Sequence, residues 1–330
     1  NKFNRLVDES FDYAHHVDAN KFGEYCKSKF KGKHLISHVN HVKTDGSTIV
    51  SVTTDGGVIK ADMFIDCTGF HGLLIDKALH EPFESISDTL LNDTAITCRM
   101  PYAKKSKELE PFTDCTALSS GWVWNTPLWS RIGTGYVFSS QFQSKYKRGW
   151  VGNCLALTLA SGFIEPLEST GLALACYQIN HFIETIKDSD YSAFGKKLYN
   201  RELDKSFEEI HNFVLLHYVN TKREDSKYWQ HIKNNIKIPE SLAEYVESET
   251  GGQWFPRKSR ESIFIGINGN AEYSPKHLAY NGIKITDANK KEQEHILTDL
   301  EYLKRRKVFY KNKAQKMEVL DKYLAKGIYK

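Results

Sequence analysis

The chain has 330 residues, 40% hydrophobic and 26% charged, which suffices for one large or two ordinary domains and excludes a globally disordered chain. A formal net charge of +4 is too mild to argue for a nucleic-acid partner, and no run of 18 apolar residues argues for a membrane span. Six cysteines, at 26, 67, 98, 115, 154 and 176, form no C-x-x-C pair, so neither a zinc ribbon nor a disulfide framework is indicated and buried thiols in a reducing cytoplasm are expected.

The sequence begins at Asn1, without Met and inside a helical pattern, and is read as a fragment or as a numbering of observed residues only. Residues 1–30 read as helical, with Val7, Phe11 and Ala14 on one stripe and Asp18 placed to cap a second helix through Phe22, Tyr25 and Phe30. His34, His38 and His41 have a spacing that suits metal ligands on a helix. Their neighbours Leu35, Ile36, Val39 and Val42 are strand formers, however, and on a strand His38 and His41 face opposite sides, so no metal site is expected. An antiparallel meander follows: a strand ending near Lys43, a second over 48–53, a hairpin turn at Asp55-Gly56 and a third strand over 58–66. The run Met63, Phe64, Ile65 predicts that this strand's end is buried on both faces. It stops at Cys67-Thr68-Gly69-Phe70, where small residues let backbone approach a cofactor.

A further strand is predicted over 94–100, and another in Gly121-Trp122-Val123-Trp124-Asn125-Thr126-Pro127. Trp122 and Trp124 are two apart, so both rings point to one side, and Pro127 ends the ladder. The pair is either a rigid wall beside a site or part of a core strand. Residues 131–140 make one more strand, with Gly133 and Gly135. Trp150-Val151-Gly152-Asn153 then offers a glycine and a short amide suited to a cofactor's ribityl or phosphate oxygens.

The stretch 162–171, Gly-Phe-Ile-Glu-Pro-Leu-Glu-Ser-Thr-Gly, runs from a loop into a helix. Leu172, Ala175, Cys176, Ile179, Phe182, Ile183 and Ile186 form the stripe expected to be buried. Ser169 and Thr170 are good N-cap residues, and the free amides of such a helix start make an anion site. Glu168 sits beside it. Two negative charges about 5 Å apart repel by roughly 3 kcal/mol at a dielectric near 20. Either Glu168 keeps its proton, or no anion binds, or a cation bridges them; an ordinary capped core helix is the plainer reading. A second helix carries Phe207, Ile210, Val214 and Tyr218 on one stripe. Around its end stand His217, Tyr218, Glu224, Tyr228 and Trp229, a pocket for an aromatic substrate or a helix-packing patch. Residues 246–290 read as loops, and helical stripes return with Ile296, Leu300 and Leu303, then Met317, Leu320 and Leu324. Lys304-Arg305-Arg306-Lys307 reads as a solvated face.

Taken together, four blocks in order resemble the flavin-dependent halogenases of the tryptophan-halogenase type. They are Asp66-Cys67-Thr68-Gly69-Phe70, the Trp122/Trp124/Pro127 block (the family's W-x-W-x-I-P with Thr126 for Ile), the block 149–153 and the block 162–171. The resemblance implies an α/β, FAD-binding, flavin-monooxygenase-like fold of GR2 type with mixed sheets. A partial FAD-binding domain would span 1–165 and a mainly helical substrate-binding part 166–330. It implies that reduced FAD (FADH2), oxygen and halide yield hypohalous acid, which reaches a lysine and halogenates an electron-rich indole- or phenol-type substrate. By the motif match Glu168 and Ser169 are catalytic, and Thr170 and Gly171 offer amides to the halide ion. Thr68, Gly69, Gly152, Asn153, Leu159, Pro166 and Leu172 lie along FAD, and Trp122, Trp124 and Pro127 shield the flavin. His217, Tyr218, Glu224, Tyr228 and Trp229 hold the substrate. His217 stands where tryptophan-specific members carry Tyr, and Tyr228 where they carry Phe, so the substrate need not be free tryptophan. The resemblance further implies a separate flavin reductase, a cytoplasmic location, and no nucleic-acid or membrane partner; a homo-oligomer stays open. The family's Gly-rich dinucleotide loop and its lysine match no residues of this sequence, and the 140–149 connection is shorter than usual. A flavin hydroxylase and a flavin-fold protein that has lost its chemistry are the alternatives.

Overall fold

Asp18 opens the described fold: its side chain accepts from the Asn20 N–H and caps α1 (Ala19–Lys29), as its placement before a helical pattern predicts. The computed structural model describes residues 16–110, 112–139, 144–248, 251–256, 259 and 263. The helices read before residue 16 and after 290, and the charge run at 304–307, lie outside the described residues. Helix α1 buries none of its residues, so Phe22, Tyr25 and Phe30 stay exposed.

The meander forms as expected from β1 (Val39–Thr44), β2 (Ile49–Thr54) and β3 (Gly57–Ile59), all antiparallel. The third strand does not run on to residue 66. The chain leaves the sheet after Ile59 and starts β4 (Phe64–Asp66) in another one. Nor is its end buried on both faces: Phe64 and Asp66 are buried, whereas Ile65 is 51% exposed. Asp66 is buried because its donors are at hand. Its Oδ1 accepts from the Thr68 N–H (2.9 Å) and hydroxyl (2.6 Å), and its Oδ2 from the N–H groups of Leu74 (2.7 Å) and Ile75 (2.9 Å). Four hydrogen bonds let a carboxylate sit inside, and they tie the strand end to the turn that follows.

Next come β5 (Phe83–Ser85), β6 (Thr94–Met100), the single turn α2 (Lys105–Glu108), β7 (Asp114–Leu118), β8 (Gly121–Pro127) and β9 (Ile132–Phe138). The last four strands make an antiparallel sheet in the order β6-β9-β8-β7. Trp122 and Trp124 share a side, with ring centroids 5.8 Å apart. Trp124 lies over Gly135 of the neighbouring strand, where an added Cβ would stand 2.1 Å from the indole ring.

Short strands β10 (Ser144–Tyr146), β11 (Trp150–Val151), β12 (Cys154–Ala156) and β13 (Gly162–Phe163) complete the β structure. Strand β12 runs parallel to β4 and antiparallel to β11, so this sheet is mixed as expected. Sequence reading missed β5, β7, β10, β11, β12 and β13, because a strand of two to five residues carries too little periodicity. Gly152 turns the chain between β11 and β12 with φ of 55°, and a Cβ there would meet the Ser47 carbonyl at 2.1 Å.

Helices α3 (Thr170–Ser189), α4 (Ala193–Val219), α5 (Lys227–Asn235) and α6 (Glu240–Glu247) follow. The α4 stripe Phe207, Ile210, Val214 and Tyr218 is buried as predicted. The α3 stripe is rotated: Leu174, Ala175, Gln178 and Phe182 face inward, while Leu172, Cys176, Ile179 and Ile183 are exposed. A polar residue sets this rotation. Buried Gln178 accepts from the Thr158 N–H (3.1 Å) and donates to the Ser161 hydroxyl (2.7 Å), so its face must meet the 158–161 turn. One apolar cluster joins Trp122, Val137, Trp150 and Leu155 to Leu203, Phe207, Ile210 and Trp229, across position 165. Of the six cysteines only Cys154 is buried, which corrects the expectation of buried thiols. No described helix is long and apolar enough to cross a membrane.

Candidate functional site

A cavity of about 480 Å³ opens where three distant stretches meet. Strands β7 and β8 contribute Cys115, Ala117 and Trp122, and the loop before α3 contributes Leu167. The end of α4 and the start of α5 contribute His217, Tyr218, Thr221, Lys222, Arg223 and Trp229. Local chemistry holds these walls together. The Trp229 indole N–H donates to the Leu118 carbonyl (2.7 Å), and the Ser226 hydroxyl caps α5 while donating to the Ser119 carbonyl (2.6 Å). Arg223 donates to the Ala117 carbonyl (2.7 Å), forks onto both oxygens of Asp225 (2.9 and 2.7 Å), and lies 5.0 Å from the Trp229 ring centroid.

Glu165 lies behind the wall, fully buried. Its Oε2 accepts from the Asn92 side-chain amide (2.9 Å) and the Trp122 indole (3.1 Å), and Tyr218 is bonded to it as well. Asn92 also donates to the Tyr218 oxygen (2.8 Å) and accepts from the Tyr228 hydroxyl (2.9 Å). Burial pushes the Glu165 carboxyl above the ordinary glutamate range, and the donors Tyr218, Asn92 and Trp122 pull it partly back. Burial, then the Glu165 charge, pushes the Tyr218 phenol well up. Sequence reasoning passed over Glu165 and Asn92. The loop signal drew attention to Glu168 instead, and Glu165's partners lie 43 and 73 positions away.

Glu168 has a partner that the charge argument asked for. His217 Nε2 stands 2.7 Å from its Oε1, while His217 Nδ1 stands 2.9 Å from the Phe213 carbonyl. A carbonyl only accepts, so Nδ1 carries a proton. The His217–Glu168 contact therefore holds a single proton, as imidazolium and carboxylate or as imidazole and carboxylic acid. These two forms correspond to two of the outcomes posed for Glu168, a cationic partner or a retained proton. Nearby, burial, then the charges of Glu168 and Asp114, push the Cys115 thiol up to about 11.

The α3 start departs from an ordinary cap. Ser169 occupies the cap position with φ 55° and ψ 30°, the left-handed region, and its side chain accepts no hydrogen bond from the first turn. This corrects the reading of Ser169 as a side-chain cap. A non-glycine residue held there costs about 1–3 kcal/mol, and such strain concentrates at functional sites. A Cβ built on Gly171 or on Gly69 meets nothing within 4 Å, and Leu159 and Leu172 are exposed beside them. The turn 69–71 packs on the turn 158–160, which packs on α3. Two open glycines and two exposed leucines on these packed elements fit contact with a planar apolar group such as a flavin ring.

Other expected cofactor residues have structural duties. The Asn153 side chain exchanges two hydrogen bonds with the Ile49 backbone (2.8 and 2.9 Å), and Gly152 is closed off by Ser47. Thr68 is committed to Asp66 and to the Leu73 N–H (2.8 Å). Of the five expected substrate residues, His217, Tyr218 and Trp229 line the cavity; Tyr228 points to Asn92 behind it, and Glu224 pairs with Lys233. No group of three or more His, Cys, Asp or Glu able to hold a metal occurs among the described residues.

The family model for tryptophan halogenases matches residues 1–147 and 143–276. Tryptophan 6-halogenase SttH of Streptomyces toxytricini is 34% identical over 299 residues, covering 80% of this chain and 56% of that protein. Tryptophan 7-halogenase RebH of Lentzea aerocolonigenes is 32% identical over 276 residues, covering 73% and 52%. The chain thus spans about half the length of the curated relatives it matches. Among solved structures, SttH superposes with a TM-score of 0.71 at 28% identity, over 87% of this chain and 67% of that one. Tar14, a tryptophan C-6 flavin-dependent halogenase (chlorinase) from taromycin biosynthesis, superposes with a TM-score of 0.69 at 32% identity, over 91% and 69%.

Proposed function

Since the chain belongs to the tryptophan halogenase family, we propose that the protein halogenates an electron-rich aromatic substrate with reduced FAD, oxygen and halide. The observation that carries this is a cavity walled by two indole rings and by His217, whose Nε2 stands 2.7 Å from Glu168 Oε1, beside a helix start whose cap residue makes no side-chain hydrogen bond. Reduced FAD, when bound, supplies the oxygen activation that turns halide into hypohalous acid. It would lie against Gly69, Leu159 and Leu172. The Thr170 and Gly171 amides, at the positive end of α3, hold the halide. Trp122 and Trp229 clamp the substrate ring between apolar walls and exclude water.

Glu168 takes the proton that leaves the substituted ring carbon, and His217 sets its readiness. The contact stores one proton. In the imidazolium–carboxylate form Glu168 Oε1 is an acceptor next to the ring, and the accepted proton neutralises a carboxylate already paired with a cation. Ser169 sets the direction of the helix start. A separate flavin reductase delivers the reduced cofactor.

The test is product mass. Full-length protein given reduced FAD, oxygen, bromide and a set of indoles and phenols should yield mono-bromo products. Hydroxylated products alone, unchanged by leaving out bromide, would transfer the protein to the flavin hydroxylases.

A further inference from the structure

A charge count around the cavity points to the class of substituent its substrate carries. The carboxylates close to it are Glu165, Glu168, Glu224, Asp225 and Asp114. Glu165 is buried behind Trp122. Glu168 is held by His217, Glu224 by Lys233 and Asp225 by the Arg223 fork. Asp114 alternates with the cavity-lining Cys115 on β7, so it faces the other side of the strand, where the Thr116 hydroxyl donates to it (3.3 Å). Among the described residues, each of these carboxylates is buried, paired with a cation or turned to the other side of its strand. The cations are not balanced in the same way. Lys222 lines the cavity, is exposed, and meets no carboxylate among the described residues. Arg223 stands next to it with its positive charge already satisfied by Asp225.

We propose that Lys222 selects an indole-type substrate whose side chain ends in a carboxylate and carries no free amine. The inference deepens the reading of this cavity as the substrate site and rests on it. A cavity of about 480 Å³ suits a bicyclic ring plus a short chain. With the ring against Trp122 and Trp229, a short chain is placed to reach Lys222, which lines the same cavity. A free amino acid would bring its ammonium group against that unbalanced cation, and Glu224, which the substrate-binding spacing assigns to it, is already occupied by Lys233.

Calorimetric titration of the full-length protein with indole, indole-3-propionate, tryptophan and tryptamine tests this without turnover. Indole-3-propionate should bind about tenfold more tightly than tryptamine, a difference of about 1.4 kcal/mol, with tryptophan between them. In Lys222→Glu the ratio of Kd for indole-3-propionate to Kd for indole should rise about tenfold, and Lys222→Arg should restore it. Tryptamine binding as tightly as the carboxylate, an unmoved ratio in Lys222→Glu, or no carboxylate binding by the parent protein would each overturn the proposal. Carboxylate preference without bromide-dependent turnover would remove the halogenase reading and leave this one standing. Bromination with the amine preferred would do the reverse.

Discussion

Glu165 is the group whose removal should be felt most. Its carboxylate gathers the Asn92 amide, the Trp122 indole and the Tyr218 phenol in a site without solvent. In Glu165→Ala those donors lose their acceptor. Asn92 still donates one N–H to the Tyr218 oxygen at 2.8 Å, but its other N–H and the Trp122 N–H are left buried without an acceptor. Each stranded donor costs about 1–3 kcal/mol, and the emptied volume adds about 1–2 more, so we expect a loss of roughly 3–8 kcal/mol. Glu165→Gln keeps an acceptor and removes only the ionisation, and should stay within about 1 kcal/mol of the parent near neutral pH. The two variants also differ in pH response. Burial raises the folded-state value above the ordinary 4.5, so above that pH the folded protein still holds a proton that the unfolded chain has released. The stabilisation this gives is complete below about 4.5 and is lost as pH rises through the folded value, with a slope of up to about 1.4 kcal/mol per pH unit. Glu165→Gln lacks the group and therefore the slope. Urea unfolding of full-length parent and variants from pH 4 to pH 8 measures both effects. A difference between parent and Glu165→Gln that stays flat across that range, or a Glu165→Ala cost below about 1 kcal/mol, would refute the reasoning.

Two further outcomes are expected. Glu168→Gln should abolish bromination while FAD still binds, because the amide has no basic oxygen for the ring proton and cannot pair ionically with His217; halogenation at the parent rate, measured by product mass, would show that the role belongs elsewhere. Gly135→Ala should cost about 1–3 kcal/mol and shift the tryptophan fluorescence, because the new methyl would stand 2.1 Å from the Trp124 ring and must displace it from its place beside Trp122; an unchanged spectrum and melting temperature would show that the glycine does not seat the ring.

Local patterns carried much of the molecule. The meander, the strands at 94–100, 121–127 and 132–138, the Asp18 cap and the inward stripe of α4 were all legible, because periodicity and turn chemistry are properties of neighbouring residues. The pairing of Trp122 with Trp124 on one side followed from the two-residue repeat of a strand alone. Family membership was legible from four short blocks, since their order survives even where the residues between them change.

Tertiary structure decided what depends on contacts across long stretches of chain. It broke the predicted strand 58–66, because residues 57–59 pair with β2 while 64–66 pair with β12 in another sheet, a partner some 90 positions away. It rotated α3, because Gln178 satisfies its amide on the 158–161 turn, and hydrophobicity alone gives no weight to such a buried polar bond. It took Asn153 for the Ile49 backbone and Glu224 for Lys233, and it gave Glu168 its histidine, 49 positions away. Hydrogen-bonding capacity is written in each residue, but which partner consumes it is known only once the chain has folded. That allocation decides which polar groups remain to meet a substrate, and here it leaves Lys222.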